Sequence, residues 1–320
     1  IKNPEHIDLA GKGEDTDPTT KLIINDIQLI VDNDLGLLCP ADVVHIKDED
    51  EVSLLKLRKQ DGTFTNNVFK LYSLGSERNE EGFDKEVESL MSSDLLVSAS
   101  VEDYLNGERP YVTTPISKKI ITEPKVGIGR DNHTHISDEG KLYRVGMSRY
   151  KGEEGNQLQF EVNFELEGLK LEVGEKGFLK LGGEGKGMAY EVIEDIKMNP
   201  FKNTSRYFKI ILKTPAIFKN GWYPSFVDRS DEFKGIWNGI NLQLIAASVG
   251  KPKYIGGFDM KKKAPKPMTK VVGEGAVYFF KIIDDTFELN IQVPFSISDD
   301  RINEGFGLAY CASINEQLEI

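Results

Sequence analysis

The hydrophobic pattern of the first half of the chain predicts mainly short β-strands. Residues 21–24 and 27–31 are apolar runs, and turn-forming residues follow the second of them at 32–36. Residues 159–164 alternate apolar and polar side chains, which predicts another strand. This half is therefore expected to contain an antiparallel sheet.

Three segments have the pattern of short helices. Residues 85–91 and 100–105 are the first two, with Ser98 or Ser100 as the N-cap of the second. Residues 240–249 are apolar with small side chains and predict a third helix. Each half of the chain thus mixes strands with one or two short helices.

A long β-hairpin is predicted between residues 119 and 149. Strand-like runs at 119–121 and 142–147 flank a polar segment, 130–140, that is rich in Asp, Asn, His, Ser and Gly. Such a segment is expected to form the mobile end of the hairpin.

The second half of the chain, from about residue 200, contains a similar mixture of elements. Strands are predicted at 207–212, 271–272, 276–283 and 306–312. Together the two halves predict an α+β protein with two domains, each built on an antiparallel sheet.

Charge is unevenly distributed along the chain. It has 40 Lys and Arg against 52 Asp and Glu, a net charge of −12, which alone argues against nucleic-acid binding. Residues 251–270, however, hold seven lysines and a single acid, whereas acids cluster at 48–51 and at Glu77, Glu80 and Glu81. We therefore expect a basic face that binds RNA and an acidic face that keeps the protein soluble or meets a basic partner.

The remaining composition narrows the class of protein. No apolar stretch approaches 18 residues, so no transmembrane helix is predicted. Cys39 and Cys311 have no Cys or His at metal-ligand spacing, which indicates neither a disulfide framework nor a metal site and favours the cytoplasm. No signal peptide is visible, and Ile1 in place of Met indicates a processed or truncated chain.

The densest glycine cluster contains Gly182, Gly183 and Gly185, followed by Lys186 and another glycine. It has two interpretations: a tight turn between strands, or a backbone that approaches phosphate closely, with Lys186 adding charge. It is not a Walker A loop, because a glycine follows the lysine where Ser or Thr is required. An ATPase is therefore not predicted.

A second glycine-rich segment has the same two interpretations. Gly127 and Gly129 precede Arg130, lie close to Lys125 and open the predicted hairpin. They form either a plain turn or a site where the backbone N–H groups bind a phosphate. Near the C-terminus, a glycine-rich entry to a strand contains Gly305, Phe306 and Gly307 and indicates no function by itself.

One segment combines flexible glycines, an aromatic ring and lysines, a combination that suits base stacking and phosphate neutralisation. Its members are Gly256, Gly257, Phe258, Lys261, Lys262 and Lys263. The alternative is a solvated lysine loop. Trp222 lies among Gly and Pro residues and predicts an aromatic platform, a core contact or a partner contact.

His133 and His135 lie close together in the predicted hairpin tip. Such a pair can bind a metal or act as acid and base in RNA cleavage. No third ligand or carboxylate lies at a telling distance, so solvated loop histidines are the preferred interpretation.

The order of these segments along the chain is more specific than any one of them. They lie at 127–130, 142–144, 181–186, 214–216, 221–222, 255–259, 265–266, 275–279 and 305–309. From about residue 115 to 312 this order resembles the third subunit of the Cmr complex, the type III-B CRISPR effector. The opening strand of that family, with an F-R-x-x-x-P-F-like motif, is not found, so the chain is expected to begin after it.

The resemblance implies two ferredoxin-like (RRM-type) domains of the RAMP superfamily, at 1–198 and 199–320, with a β-hairpin thumb at 119–149. It implies a subunit without catalysis, cofactor or metal that binds the 5′ tag of the guide RNA (crRNA). Its expected neighbours are the large polymerase-domain subunit and a backbone subunit that cleaves target RNA. The predicted RNA contacts are Lys125, Gly127, Gly129, Arg130, Gly182, Gly183, Gly185, Lys186, Trp222, Gly256, Gly257, Phe258, Lys261, Lys262, Lys263, Gly305, Phe306 and Gly307.

Two other functions compete with this one. The first is a RAMP-type endoribonuclease that processes CRISPR precursor RNA with His133 or His135 as acid or base. The second is a structural wedge that binds the large subunit by its acidic face and does not touch RNA.

Overall fold

The computed structural model describes residues 22–47, 49, 51–59, 72–130, 134, 137–150, 158–166, 174–181, 186–194, 198–259, 263–285 and 288–319. Within them the chain is mostly antiparallel sheet with one α-helix. The chain divides into a first unit of Ile1–Ile27, Gln60–Tyr72 and Val162–Ser313, and a second unit of Gln28–Lys59, Ser73–Glu161 and Ile314–Ile320. The domain boundary at 198/199 stays a prediction.

The elements up to residue 166 are β1 Leu22–Val31, β2 Asp34–Leu38, β3 Val43–Ile46, β4 Glu51–Leu54, β5 Lys56–Lys59, β6 Tyr72–Gly75, β7 Val87–Ser89, β8 Asp94–Val97, α1 Ala99–Asn106, β9 Thr114–Pro115, β10 Ile120–Arg130, β11 Ser137–Tyr150 and β12 Leu158–Leu166. Those that follow are β13 Lys176–Leu181, β14 Lys186–Glu191, β15 Phe201–Asn203, β16 Tyr207–Leu212, β17 Val227–Asp228, β18 Lys234–Trp237, β19 Ile240–Ser248, β20 Lys253–Asp259, β21 Ala264–Val271, β22 Val277–Ile282, β23 Leu289–Ile291, β24 Phe295–Ser296, β25 Leu308–Ala312 and β26 Leu318–Glu319.

The core of the first unit is a seven-stranded sheet in the order β17-β18-β19-β22-β16-β25-β24. Its central strands β16 and β22 are buried along most of their length and apolar apart from one lysine in each, Lys209 and Lys281, as expected of strands covered on both faces. Aromatic rings fill the interior; the Phe208 and Phe280 rings, for example, stack with centroids 5.5 Å apart. This sheet is the rigid base from which the β20–β21 hairpin extends.

The predicted helix at 240–249 is wrong, because this segment forms strand β19. It pairs with β18 on one side and with β22 on the other. A short apolar run has the same pattern in a buried strand and in a buried helix, and pairing with two neighbouring strands decides the outcome here.

The second unit contains three small sheets besides the β10–β11 hairpin. The strand order is β4-β3-β7 in one and β26-β5-β6 in another, and β2 and β8 are central in the third. A buried polar group, the Asp42 carboxylate, connects them: it accepts hydrogen bonds from the Tyr104 hydroxyl at 2.7 Å and from the Gln317 amide at 2.9 Å. The C-terminal residues are thereby fixed within the second unit.

The predictions for short elements of the second unit had mixed outcomes. The helix at 100–105 is confirmed as α1, which ends at Gly107 in the left-handed conformation with φ of 84°. Ser98 stands at the N-cap, but its side chain makes no capping hydrogen bond. The helix at 85–91 is wrong, because β7 lies in that segment and pairs with β3.

The predicted strands are largely confirmed. Residues 22–24 and 27–31 belong to a single strand, β1, followed by a turn at 32–33, and residue 21 lies outside the described residues. The strictly alternating segment is β12, and β16, β22 and β25 lie where second-half strands were predicted.

The long hairpin is confirmed as β10 and β11, which pair from Ile120↔Tyr150 to Arg130↔Ser137. The expected turn at Gly127 and Gly129 is wrong, because both glycines lie inside β10. A Cβ at Gly127 would collide with the ring of Tyr143 on the paired strand, so glycine is needed there for close approach. His133 and His135 lie outside the described residues.

Candidate nucleic-acid interface

The most basic described element is the hairpin of β20 and β21, which we call the lysine hairpin. Its pairing runs from Lys253↔Val271 to Asp259↔Ala264, with a register shift after Ile255. The expected flexible loop is therefore wrong for Gly256, Gly257 and Phe258, whose backbones are extended in β20. Regular pairing fixes the spacing of the lysines along the two strands.

One face of the lysine hairpin combines an aromatic ring with a lysine. Tyr254 is 61 % exposed and is paired across the strands with Lys270, which is also exposed. Directly paired residues share a face of the sheet, with Cβ atoms about 5 Å apart. A base stacked on the tyrosine would therefore place its phosphate within reach of the ammonium group.

A methionine extends this face. The Met268 side chain lies over Gly256, where a Cβ would come within 2.5 Å of its sulfur, and Met268 is 62 % exposed. The glycine thus makes room for a side chain that continues the apolar surface beyond Tyr254. The absence of a side chain at Gly256 therefore has a packing reason within the hairpin, and contact of Gly256 with RNA stays a prediction.

The charges of the lysine hairpin remain in water. Lys263 and Lys270 are exposed and Lys266 is half-buried across from Gly257. Lys253 forms an ion pair with Glu274 at the base of the hairpin. Lys261 and Lys262 lie outside the described residues.

A second hairpin, β13 and β14, carries the densest glycine cluster. Leu181 and Lys186 are the last paired residues, so Gly182, Gly183 and Gly185 join two antiparallel strands. These three glycines lie outside the described residues, and their contact with phosphate stays a prediction. Phe178, on β13, is 85 % exposed.

The β10–β11 hairpin carries Lys125, which is exposed, and Arg130, whose backbone ends β10. Its outer part is apolar as well as basic: Val126, Ile128 and Leu142 are 54 %, 56 % and 60 % exposed. This hairpin is therefore suited to apolar contact in addition to charge. RNA contact by Lys125 and Arg130 stays a prediction.

The segment Gly305 to Gly307 uses its backbone within the first unit. The Gly305 N–H donates to the carbonyl of Ile302 at 2.9 Å, and the Gly307 N–H donates to the carbonyl of Pro215 at 2.8 Å. Both glycines have positive φ, 80° and 70°, which explains the residue type. These two amides have acceptors within the fold, and contact of Gly305 and Gly307 with RNA stays a prediction.

Two predicted aromatic contacts have internal partners. The Phe306 ring lies under the Arg301 guanidinium, 4.5 Å from the ring centroid. Trp222 is half-buried and packs edge-to-face on Tyr223, with centroids 5.1 Å apart, against the core of the first unit. Of the alternatives for Trp222, the core contact is present, and base stacking by its remaining surface stays a prediction.

Among the described residues, no cluster of three or more His, Cys, Asp or Glu side chains could hold a metal ion. Burial raises the pKa of both Cys39 and Cys311, which keeps these thiols protonated and unreactive. No described helix is long and apolar enough to cross a membrane.

Residue-by-residue reading of the sequence did not identify Tyr254 and Met268. No local pattern in 252–258 indicates them, because the strand register is needed to bring Lys270 beside Tyr254 and Met268 over Gly256. The lysine content of 251–270 located the basic segment but did not predict that it is a hairpin.

Comparison with known proteins identifies the family. No curated protein matches the chain. Two solved structures are similar to it: the type III-B Cmr-beta complex bound to cognate target RNA and AMPPnP, state 1 (13 % identity, 84 % of this chain and 71 % of that chain, TM-score 0.42), and the same type of complex bound to cognate target RNA (13 %, 86 %, 71 %, TM-score 0.40). The family model described as CRISPR-associated protein (Cas_Cmr3) matches residues 37–314, nearly the whole sequence. The resemblance seen in the sequence is thereby confirmed, and the chain belongs to the Cas_Cmr3 family of CRISPR-associated proteins.

Proposed function

We propose that this chain is a subunit of a type III-B CRISPR effector complex and that it binds the 5′ tag of the guide RNA without cutting it. Membership of the Cas_Cmr3 family supports the first part of this proposal, that the chain is a subunit of a CRISPR effector complex. The observation that carries the RNA role is the lysine hairpin, where exposed Tyr254 lies beside Lys270, with Lys266 on the same strand as Lys270 and Lys263 just before that strand.

Binding by this surface has a defined physical basis. Single-stranded RNA presents unstacked bases and a regular row of phosphates, and an aromatic side chain with nearby cations matches both. An antiparallel hairpin holds these groups at fixed spacing and loses little conformational entropy on binding. The net charge of −12 does not oppose this, because exposed acids more than about 10 Å away are screened at physiological salt.

The domain architecture expected of such a subunit is part of the same proposal. Two ferredoxin-like domains with a boundary near 198/199 would each present a sheet, and the β10–β11 hairpin would act as the thumb that marks where the tag ends and the guide begins. The neighbouring subunits would be the large polymerase-domain subunit and the backbone subunit that cleaves target RNA.

The test is guide-RNA binding over a salt series by the chain and by Lys263→Ala/Lys266→Ala/Lys270→Ala. Loss of three phosphate contacts should lower the slope of log K against log salt by about 2 and weaken binding roughly fiftyfold at ~0.15 M salt. The matched control, Lys118→Ala/Lys202→Ala/Lys219→Ala, removes three exposed lysines elsewhere and should change neither quantity. Equal slopes for the two triple variants would refute the assignment of the lysine hairpin.

A cleavage assay separates the proposed subunit from the endoribonuclease alternative. Precursor repeat RNA should remain intact with the chain in the presence of a chelator. Metal-independent cleavage that is lost in His133→Ala/His135→Ala would establish the enzyme instead.

A further inference from the structure

Residues 77–86 of the second unit form a tight loop that displays an aromatic ring; we call it the Phe83 loop. Its arms meet at the bridge Arg78↔Asp84. The Asn79 N–H donates to the Phe83 carbonyl at 2.8 Å, and the Asn79 side-chain oxygen accepts from the Phe83 N–H at 2.9 Å. Gly82, with φ of 85°, completes the turn. The backbone of the tip is therefore held in one conformation.

The base of the Phe83 loop is anchored on a buried cation. Arg58 is only 7 % exposed; its guanidinium forms an ion pair with Asp84 and donates to the carbonyl of Ser76. The Ser76 hydroxyl donates to the Lys85 carbonyl at 2.5 Å, which fixes the second arm. The fold thus supplies several hydrogen bonds to hold a loop whose Phe83 side chain is 68 % exposed.

The charge around Phe83 indicates which kind of molecule it can meet. Residues 77–86 contain five acids and two bases, a net charge of −3. Both bases are engaged, since Arg78 lies 3.9 Å from Asp84 and Lys85 lies 2.9 Å from Glu49. The surface that remains, with exposed Glu80 and Glu81 beside the ring, repels phosphate and complements lysine and arginine.

Two more exposed apolar side chains follow Arg109, a residue that pairs with acids in and near the Phe83 loop. Arg109 lies 2.8 Å from Glu51 and 3.8 Å from Glu77 of the Phe83 loop. Two residues further along, Tyr111 is 81 % exposed and Val112 is 64 % exposed. Exposed apolar anchors surrounded by charges of one sign are typical of a protein–protein interface.

We propose that Phe83 is the anchor of a protein-docking surface and inserts into an apolar pocket rimmed by lysine and arginine on another protein subunit of the same effector complex. This inference rests on the proposed function only in that the partner is a subunit of that assembly. A rigid loop with an exposed aromatic ring suits this role, because ordering the anchor costs little when it binds.

The test is assembly of the complex from the full chain, guide RNA and the other purified subunits. Phe83→Ala should raise the dissociation constant of the chain for the remaining assembly tenfold or more, whereas Phe178→Ala, which removes a more exposed ring in the first unit, should change it less than twofold. Glu80→Gln/Glu81→Gln should weaken assembly at low salt, and this effect should disappear at ~0.5 M salt. Equal affinity of Phe83→Ala and the unmodified chain would overturn the proposal.

A photocrosslink identifies the class of partner. With p-benzoylphenylalanine at position 83, the assembled complex should yield a crosslink to a subunit peptide that contains Lys or Arg; a crosslink to guide RNA, or none, would overturn the proposal. Guide-RNA binding by the isolated Phe83→Ala chain should be unchanged. Failure of the RNA proposal therefore shows in the lysine hairpin variants, and failure of the docking proposal shows in the Phe83 variant.

Discussion

The lysine hairpin and the Phe83 loop each expose an aromatic side chain, but the residues around the two rings carry opposite charge. Each is an antiparallel connection that holds an aromatic ring in water, Tyr254 at 61 % and Phe83 at 68 % exposure. Lysines surround the first ring and carboxylates surround the second. The exposed aromatic alone does not distinguish an RNA site from a protein site, and the charge of its neighbours decides which partner can approach.

The two regions also differ in how they are held. The base of the Phe83 loop is fixed by a buried arginine and by the Ser76 hydroxyl, and its tip is fixed by hydrogen bonds of Asn79. The lysine hairpin is held by backbone pairing and by one ion pair at its base. A protein pocket requires one exact placement of its anchor, whereas an RNA strand adapts to a row of charges, so the difference agrees with the two proposed partners.

The strongest test of the comparison is charge reversal. Lys263→Glu/Lys266→Glu/Lys270→Glu changes six units of charge and should weaken guide-RNA binding about a thousandfold at ~0.15 M salt, measured by fluorescence anisotropy. The counterpart, Glu80→Lys/Glu81→Lys, should leave guide-RNA affinity within a few-fold and abolish assembly with the other subunits. Comparable loss of RNA binding in both variants would show that total charge, rather than the lysine hairpin, governs affinity.

The next effect concerns the anchor of the Phe83 loop. Arg58→Met should lower the stability of this region by about 2–3 kcal/mol, because it removes the donor to the carbonyl of buried Ser76 and the buried partner of Asp84, which keeps only the more distant, exposed Arg78. Hydrogen exchange over residues 72–90 measures this directly.

Arg78 provides the matched control for Arg58. Its side chain is 59 % exposed and lies 3.9 Å from the same Asp84, so Arg78→Met should cost less than about 0.5 kcal/mol. Similar protection from exchange in both variants would show that burial of the Arg58 guanidinium does not hold the loop.

A smaller effect is expected at the stacking residue. Tyr254→Ala should weaken guide-RNA binding by about 1–2 kcal/mol with no change in the salt slope, and Tyr254→Phe should bind normally because the ring is kept. Tyr111→Ala, a change of the same kind beside the acids of the second unit, should not affect RNA binding. A changed salt slope in Tyr254→Ala would indicate that the tyrosine positions Lys270 instead of stacking a base.

The fold was predictable where side chains alternate or where turn residues bound an apolar run. Strand β12 and the β10–β11 hairpin follow directly from such patterns. Segments 85–91 and 240–249 were predicted as helices because their composition permits both forms. Only pairing of β7 with β3, and of β19 with two neighbours, decides between them, and that pairing depends on residues far away in the sequence.

The candidate site was predictable in its charge and less so in its geometry. Seven lysines in 251–270 located the basic element, and the order of glycine-rich segments indicated the family that the family model confirms. The pairing of Tyr254 with Lys270 depends on a register that shifts after Ile255, which no local pattern indicates. The amides at Gly305 and Gly307 looked free in the sequence but are used by carbonyls of the surrounding fold.

The smallest expected effect is a pH dependence confined to the Phe83 loop. The hydrogen bond that Lys85 donates to Glu49 raises the pKa of this lysine above its ordinary value of 10.5. The folded-state pKa exceeds the unfolded one, so the contribution of Lys85 is fully present below about pH 10.5 and is lost as the pH rises through the folded value.

A fluorine label can follow this titration. With 4-fluorophenylalanine at position 83, the ¹⁹F resonance should shift between about pH 10 and 12 as the loop loses its contact with Glu49. Lys85→Arg should move the transition to higher pH, since a guanidinium stays charged there, and Lys85→Gln should abolish it. A transition that persists unchanged in Lys85→Gln would assign it to another group and show that the ion pair with Glu49 does not hold the Phe83 loop.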